Sequence, residues 1–133
     1  IAIPPGVKHF VVKSDLVPVR RDLDLWGFLA HMHMRGRSLK LMAIDPTGTE
    51  SVLVSIPNFY YGWQTGSGVS LKTPKRVVAG SKLQVVCEYD NSAQNPNNPD
   101  PKKTVRFGQR VDRTEMCHVG TVFSYVNDGE IIP

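Results

Sequence analysis

Leu25–Arg37, LWGFLAHMHMRGR, is the stretch on which the reading of the fold turns. It is apolar and aromatic up to Ala30 and then carries two of the four histidines, His31 and His33, one residue apart. Read as a strand, it places side chains at i and i+2 on one face. The two imidazoles then stand side by side, as two ligands of one metal must. Trp26, Phe28, Ala30, Met32 and Met34 fall on the opposite face and are assigned to the core.

Toward the C-terminus the β pattern continues. Arg35–Gly36 reads as a turn. In Arg37–Asp45, Leu39, Leu41 and Ala43 alternate with Ser38, Lys40 and Met42, and Asp45–Pro46–Thr47–Gly48 is a strong turn signal. This predicts a central pair of strands joined at Gly36, followed by a hairpin at Pro46–Gly48. Glu50–Ile56 is β-rich and stops at Pro57. The aromatic cluster Asn58–Gln64 (NFYYGWQ) is assigned as a core plug under a connection. Gly66–Lys72 and Arg76–Val78 read as two short segments around Pro74. Ser81–Asp90 alternates, with Leu83, Val85, Cys87 and Tyr89 on one face. Asn91–Pro101 (NSAQNPNNPDP) is a structured loop; its oxygens invite calcium, but its acidic ligands are sparse and its spacing is not that of an EF-hand. Thr104–Phe107 and Glu115–Val126 are the last strands, and Asn127–Pro133 is expected to fray.

Toward the N-terminus, Pro18 and Arg20–Asp22 form a loop and Val7–Lys13 a short strand. His9 is read as a satisfied surface or core group, and Ile1–Gly6 as a lead-in that two prolines keep irregular. No helix-period segment and no internal repeat occurs. About eight short strands punctuated by Gly and Pro predict an all-β fold, an antiparallel jelly-roll β-sandwich, with a barrel as the second choice.

The totals fit one domain over residues 1–133. The chain has 41% hydrophobic and 21% charged residues, a globular composition. Sixteen basic against 12 acidic residues leave +4, but the basic residues are scattered. No run forms a nucleic-acid stripe, and none reaches the roughly 18 apolar residues of a membrane span. The sequence starts at Ile1 without a methionine or a signal-like segment, which reads as a processed product or a piece of a longer chain. Cys87 and Cys117 can be a disulfide, part of a metal site or unrelated; a disulfide would imply an oxidising compartment.

On a regular final strand, Cys117, Val119, Phe123 and Tyr125 share the apolar face, and Met116, His118 and Gly120 take the other. Cys117 can then meet Cys87 inside the sandwich while Met116 approaches the histidines. Two imidazoles and a thioether make a soft, mixed site that suits copper, Cu(I) above all, better than zinc. The bland reading has His31 and His33 as surface groups and Met116 as core filler, and HxH alone does not separate the two.

HMHMRG at His31–Gly36, EMC at Glu115–Cys117 and IPPG at Ile3–Gly6 together resemble the C-terminal domain of the copper type II, ascorbate-dependent monooxygenases, the family of peptidylglycine α-hydroxylating monooxygenase and dopamine β-monooxygenase. The resemblance runs over most of the chain and is closest to short bacterial versions. Those share a loop like Asp90–Pro101 and a WQ like Trp63–Gln64. It implies an eight-stranded jelly roll, one copper held by His31, His33 and Met116, and a Cys87–Cys117 disulfide. It further implies that this copper activates dioxygen and takes a hydrogen atom from carbon of a small-molecule or peptide substrate. Electrons then come from a separate electron-donor domain with a three-histidine copper, and originally from ascorbate. An extracytoplasmic setting, periplasmic or secreted, follows.

The sequence departs from the family in three places. His9 and His118 are too few for a second three-histidine centre. Thr114 stands where an acidic residue is expected before Glu115–Met116. His118 follows EMC, and is read as a bystander or as a group supporting the ligands, because a fourth protein ligand would close the position oxygen needs. Ligand imidazoles usually donate their second N–H to an acceptor; the sequence does not select one, though Gln109 and Asp112 lie close before Met116. Two other functions remain open: a copper-binding or electron-transfer module without oxygenase activity, and a sandwich that contacts protein or carbohydrate through Phe59–Trp63.

Overall fold

A computed structural model of the chain describes residues 1–63 and 69–126. Those residues form an all-β sandwich. The strands are β1 (Ala2–Ile3), β2 (Phe10–Lys13), β3 (Val17–Pro18), β4 (Leu23–His31), β5 (Gly36–Ile44), β6 (Glu50–Ile56), β7 (Val69–Val77), β8 (Lys82–Tyr89), β9 (Val105–Phe107), β10 (Thr114–Glu115) and β11 (His118–Tyr125). Among the described residues eight of these have three or more residues, and β1, β3 and β10 are two-residue pairings. The one helical element among the described residues is a single 3-10 turn, Tyr61–Trp63. Among the described residues no helix is long and apolar enough to cross a membrane.

One face of the sandwich is the sheet β2-β8-β5-β6, with β3 also pairing β8; the other is β11-β4-β7. A third small sheet, β1-β9-β10, closes one end. The alternation in β5 sets the first face: Leu39, Leu41 and Ala43 are buried. The β5–β6 hairpin forms as the turn residues dictate. Asp45 Oδ1 accepts the N–H groups of Thr47 and Thr49, both at 2.9 Å, and Gly48 takes the positive φ of 88° that a side chain would resist. The strands joined at Gly36 are not a pair, however. β4 and β5 lie in opposite sheets, so the turn between them carries the chain across the sandwich.

The second face departs most from simple alternation. Between Leu25 and Gly27 the register against β7 slips, with Leu25 opposite Lys75 and Gly27 opposite Ser70. Four residues of β7, Leu71–Pro74, bulge opposite Trp26 alone. The β11 register skips Trp26 as well, with Val122 opposite Gly27 and Phe123 opposite Leu25, so Trp26 is an extra residue on β4 and the faces of the strand switch there. Leu23 and Leu25 point inward before it and Ala30 after it, while Trp26, expected in the core, is 43% exposed and donates from Nε1 to Ser124 Oγ at 2.9 Å. Phe28 and Met34 are half-buried. Pro74 does not split the region into two strands as expected, because β7 is an edge strand and a missing N–H there costs no ladder bond.

The last strand is also interrupted. β10 pairs with β9 and β11 with β4, so Met116 and Cys117 lie in the break between two sheets rather than on one regular strand. A second register shift, between Val122 and Phe123, leaves Phe123 and Tyr125 45% and 44% exposed instead of buried.

Two apolar clusters make the core. One, around Ile3, Val12, Ala30, Met32, Leu39, Cys87, Tyr89 and Val105, joins all three sheets at the end of β4 that carries His31. The other, around Leu23, Leu25, Leu41, Leu53 and Val77, lies at the opposite end. The asparagine loop is structured as expected: Asn91, Ser92 and Asn95 are buried, and Asn91 Nδ2 donates to the carbonyls of Pro4 and Lys103, both at 2.9 Å. Of the aromatic cluster, Phe59 packs on the first core cluster and Tyr60 is exposed. Gln64 and the expected frayed tail 127–133 lie outside the described residues.

Candidate metal centre

His31 ends β4 and His33 follows two residues later in the crossing turn. Their ring centroids are 5.2 Å apart and the rings are nearly perpendicular, at 86°. His31 is half-buried and His33 is 2% exposed. The turn is tight: the Gly36 N–H donates to the His33 carbonyl at 3.2 Å. A Cβ on Gly36 would lie 2.8 Å from Met32 Cβ and close to its Sδ and Cε. Only glycine lets the fully buried Met32 side chain fold back over the turn and anchor the residue between the two histidines.

The segment Thr114–Cys117 faces this turn, and each of its four residues is tied down. The Thr114 carbonyl accepts the His33 ring at Nδ1, 2.8 Å away. A carbonyl oxygen only accepts, so this bond puts the proton on Nδ1 and leaves Nε2 of the neutral ring with its lone pair. Glu115 is fully buried, and its two carboxylate oxygens accept the backbone N–H groups of His33 (2.8 Å) and Arg35 (2.7 Å). The Met116 carbonyl accepts the Tyr89 hydroxyl at 2.6 Å, and burial pushes the phenol well above its ordinary range, so it stays a donor. Cys117 is disulfide-bonded to Cys87 on β8, with a Cα–Cα distance of 5.9 Å.

Burial dominates the electrostatics here. It raises the Glu115 carboxyl to about 7, against the two backbone donors and the positive charge of Arg35, which favour ionisation. Burial likewise lowers Arg35, while the charge of Glu115 raises it. Arg35 Nε donates to Asn91 Oδ1 at 3.0 Å, linking the turn to the asparagine loop.

The structure therefore brings His31 and His33 together and holds the residue before Met116 against the His33–Arg35 backbone. Met116 itself is half-buried in the break between β10 and β11. That break removes the basis for placing Met116 and His118 on one strand face. His118 is exposed and sits directly opposite His31 in the β11–β4 register. Among the described residues no three His, Cys, Asp or Glu side chains converge as a ligand set. Met116 belongs to the segment held against this turn, and its thioether is a soft donor of another type. The donor chemistry fits copper: two imidazoles, one with its tautomer set for ligation through Nε2, and a soft sulfur.

For His33 the acceptor of the second ring N–H is the Thr114 carbonyl rather than Gln109 or Asp112. Asp112 is held by Arg110 and Arg113 at 3.4 and 3.3 Å, and the Thr114 backbone takes the role. Sequence reasoning also passed over Glu115, Tyr89 and Arg35 as supports. The one signal for Glu115 was its place beside Met116. No family model matches the chain, and no curated protein matches it.

Proposed function

We propose that this chain is the copper-binding, dioxygen-activating half of an ascorbate-dependent monooxygenase that hydroxylates a C–H bond and takes its electrons from a separate donor domain. The observation that carries the reading is the His31–His33 pair with the His33 Nδ1 proton already committed to the Thr114 carbonyl. The resemblance of HMHMRG and EMC to the copper type II monooxygenases supports it, and jelly-roll connectivity and an extracytoplasmic setting belong to the same reading. The disulfide is compatible with that setting.

Copper held by His31, His33 and Met116 would supply the redox chemistry that activates dioxygen, with one oxygen atom entering the C–H bond, the other leaving as water, and ascorbate giving two electrons. The protein's part is to hold the ligands and leave room. Thr114 keeps the His33 proton on Nδ1. Glu115 fixes the backbone between His33 and Arg35. A weak thioether favours the reduced ion, and three protein ligands leave a coordination position open. His118 stands beside His31 as a neighbour of the ligand set.

A second reading, a copper-binding or electron-transfer module without oxygenase activity, is favoured by one observation. His9 pairs with Glu88 at 2.6 Å, which leaves His118 alone outside the pair, so these residues build no second centre to feed the first.

Titration with Cu(I) against a competing chelator tests both. One tight site is expected, abolished in His33→Ala and weakened at least ~10-fold in Met116→Ala, the loss of about 1.4 kcal/mol of ligation. Unchanged affinity in Met116→Ala removes that residue from the site. Steady oxygen uptake with ascorbate and a hydroxylated product would favour the oxygenase; simple one-electron cycling would favour the carrier.

A further inference from the structure

The two sheets do not fill the space between them at the end of β4 away from the histidines. A cavity of about 290 Å3 opens there between β3, β4 and β11. A second, of about 170 Å3, shares Val17, Leu41, Leu83 and Thr121 with it. Close-packed interiors hold few voids larger than a water molecule, so a hollow of this size calls for an occupant. Its inner wall is Leu25, Leu41, Leu53 and Val77, all buried, and its mouth is the half-exposed Phe123 and Tyr125.

Among the described residues the charge lining the cavity is positive. Arg20 is the sole charged side chain lining the cavity, and it makes no ion pair among the described residues. The Arg21 guanidinium lies 4.5 Å from the centroid of the Tyr125 ring, at the same rim. The nearby carboxylates are turned to other work: Asp22 accepts the Ala79 N–H at 2.7 Å, and Asp24 pairs with Arg76 at 2.6 Å. An apolar hollow with a cationic lip is complementary to an amphiphile with an anionic head. The volume sits at the low end of the range for small-molecule sites, roughly 300–1,000 Å3, which favours a short chain over a long one. The walls are buried between two sheets rather than spread on a flat face, which favours a molecule taken from water over a lipid held in a bilayer.

We propose that this cavity binds a free medium-chain alkyl carboxylate, with the chain between the sheets and the carboxylate on Arg20. The site is independent of the metal reading, because the histidines lie at the other end of β4. Calorimetric titration of the full chain with decanoate, decanol and decylammonium, each below its micelle concentration, tests it. Saturable one-to-one binding is expected, with decanoate at least ~10-fold tighter than either analogue. Arg20→Glu, at an exposed position, is expected to weaken decanoate at least ~10-fold and to bring decylammonium above it. Thr121→Trp places an indole in the mouth from an exposed edge-strand position, and is expected to abolish binding while the circular dichroism stays unchanged. Absence of saturable binding, equal binding of the three head groups, full binding in Thr121→Trp, or binding only to phosphatidylglycerol vesicles would each overturn the proposal.

Discussion

The two ends of β4 solve different problems with the same strand. At the His31 end, polar groups fix the backbone: the Glu115 carboxylate spans two N–H groups, Thr114 holds a ring, Tyr89 holds a carbonyl, and a disulfide ends the segment. At the Leu23 end the buried side chains that meet are apolar, and they leave a cavity of about 290 Å3. The first arrangement buries a carboxylate and a guanidinium, a costly choice that rigid placement of a ligand can justify. The second gives up packing contacts and keeps a space that a flexible apolar molecule can shape itself to. Precision at one end and tolerance at the other therefore reflect the kind of group each end can receive.

The comparison breaks first at Glu115. Glu115→Ala leaves the buried N–H groups of His33 and Arg35 without their acceptor, and urea denaturation at pH 6 is expected to show a loss of about 2–5 kcal/mol. A loss under ~1 kcal/mol would mean that water replaces the carboxylate and the turn is not held as described.

The same residue gives the pH dependence its sign. The folded state holds the Glu115 proton up to about 7, whereas the free carboxyl has a value of 4.5. Between those values the native chain binds a proton that the unfolded chain has released, so raising the pH favours unfolding. Metal-free protein is expected to lose up to about 3 kcal/mol between pH ~4.5 and ~7, and Glu115→Gln to flatten that slope. A stability that rises across this window by the same amount in both proteins would show that other groups govern it.

The smallest effect is the most direct contrast. Leu39 and Leu41 are buried on the same face of β5, two residues apart, one in the dense cluster and the other on the cavity wall. Leu39→Ala is expected to cost about 4 kcal/mol and Leu41→Ala about 2, because a side chain beside open space loses fewer contacts when cut back. Equal losses in chemical denaturation would mean that the hollow closes in solution.

How much of this was legible depended on where regular geometry held. Leu39, Leu41 and Ala43 obey a period of two on a central strand, and alternation alone finds them. Trp26 breaks the rule because it is an extra residue on β4, skipped in the register against both β7 and β11, and only the pairing with those distant strands shows it. Nothing local to Trp26 announces that. His31 ends β4 beyond the bulge, whereas His33 lies in the crossing turn and is buried, so alternation places the first and not the second. The group that orients His33 was not legible, because it is a main-chain carbonyl, and residue identity says nothing about where a carbonyl points. Glu115 stood in view beside Met116, but its role depends on a turn 80 residues earlier in the chain.

The disulfide has one more consequence. Cys117 comes directly after Met116, and its partner, Cys87, lies 30 residues back on β8. The asparagine loop, β9, β10 and Met116 all lie within that covalent ring. A protease that clips the ring at a single peptide bond would release nothing: both fragments stay joined through sulfur, and the mass falls into two pieces only when a reductant is added. The methionine remains leashed to the sheet that anchors it even in a nicked molecule.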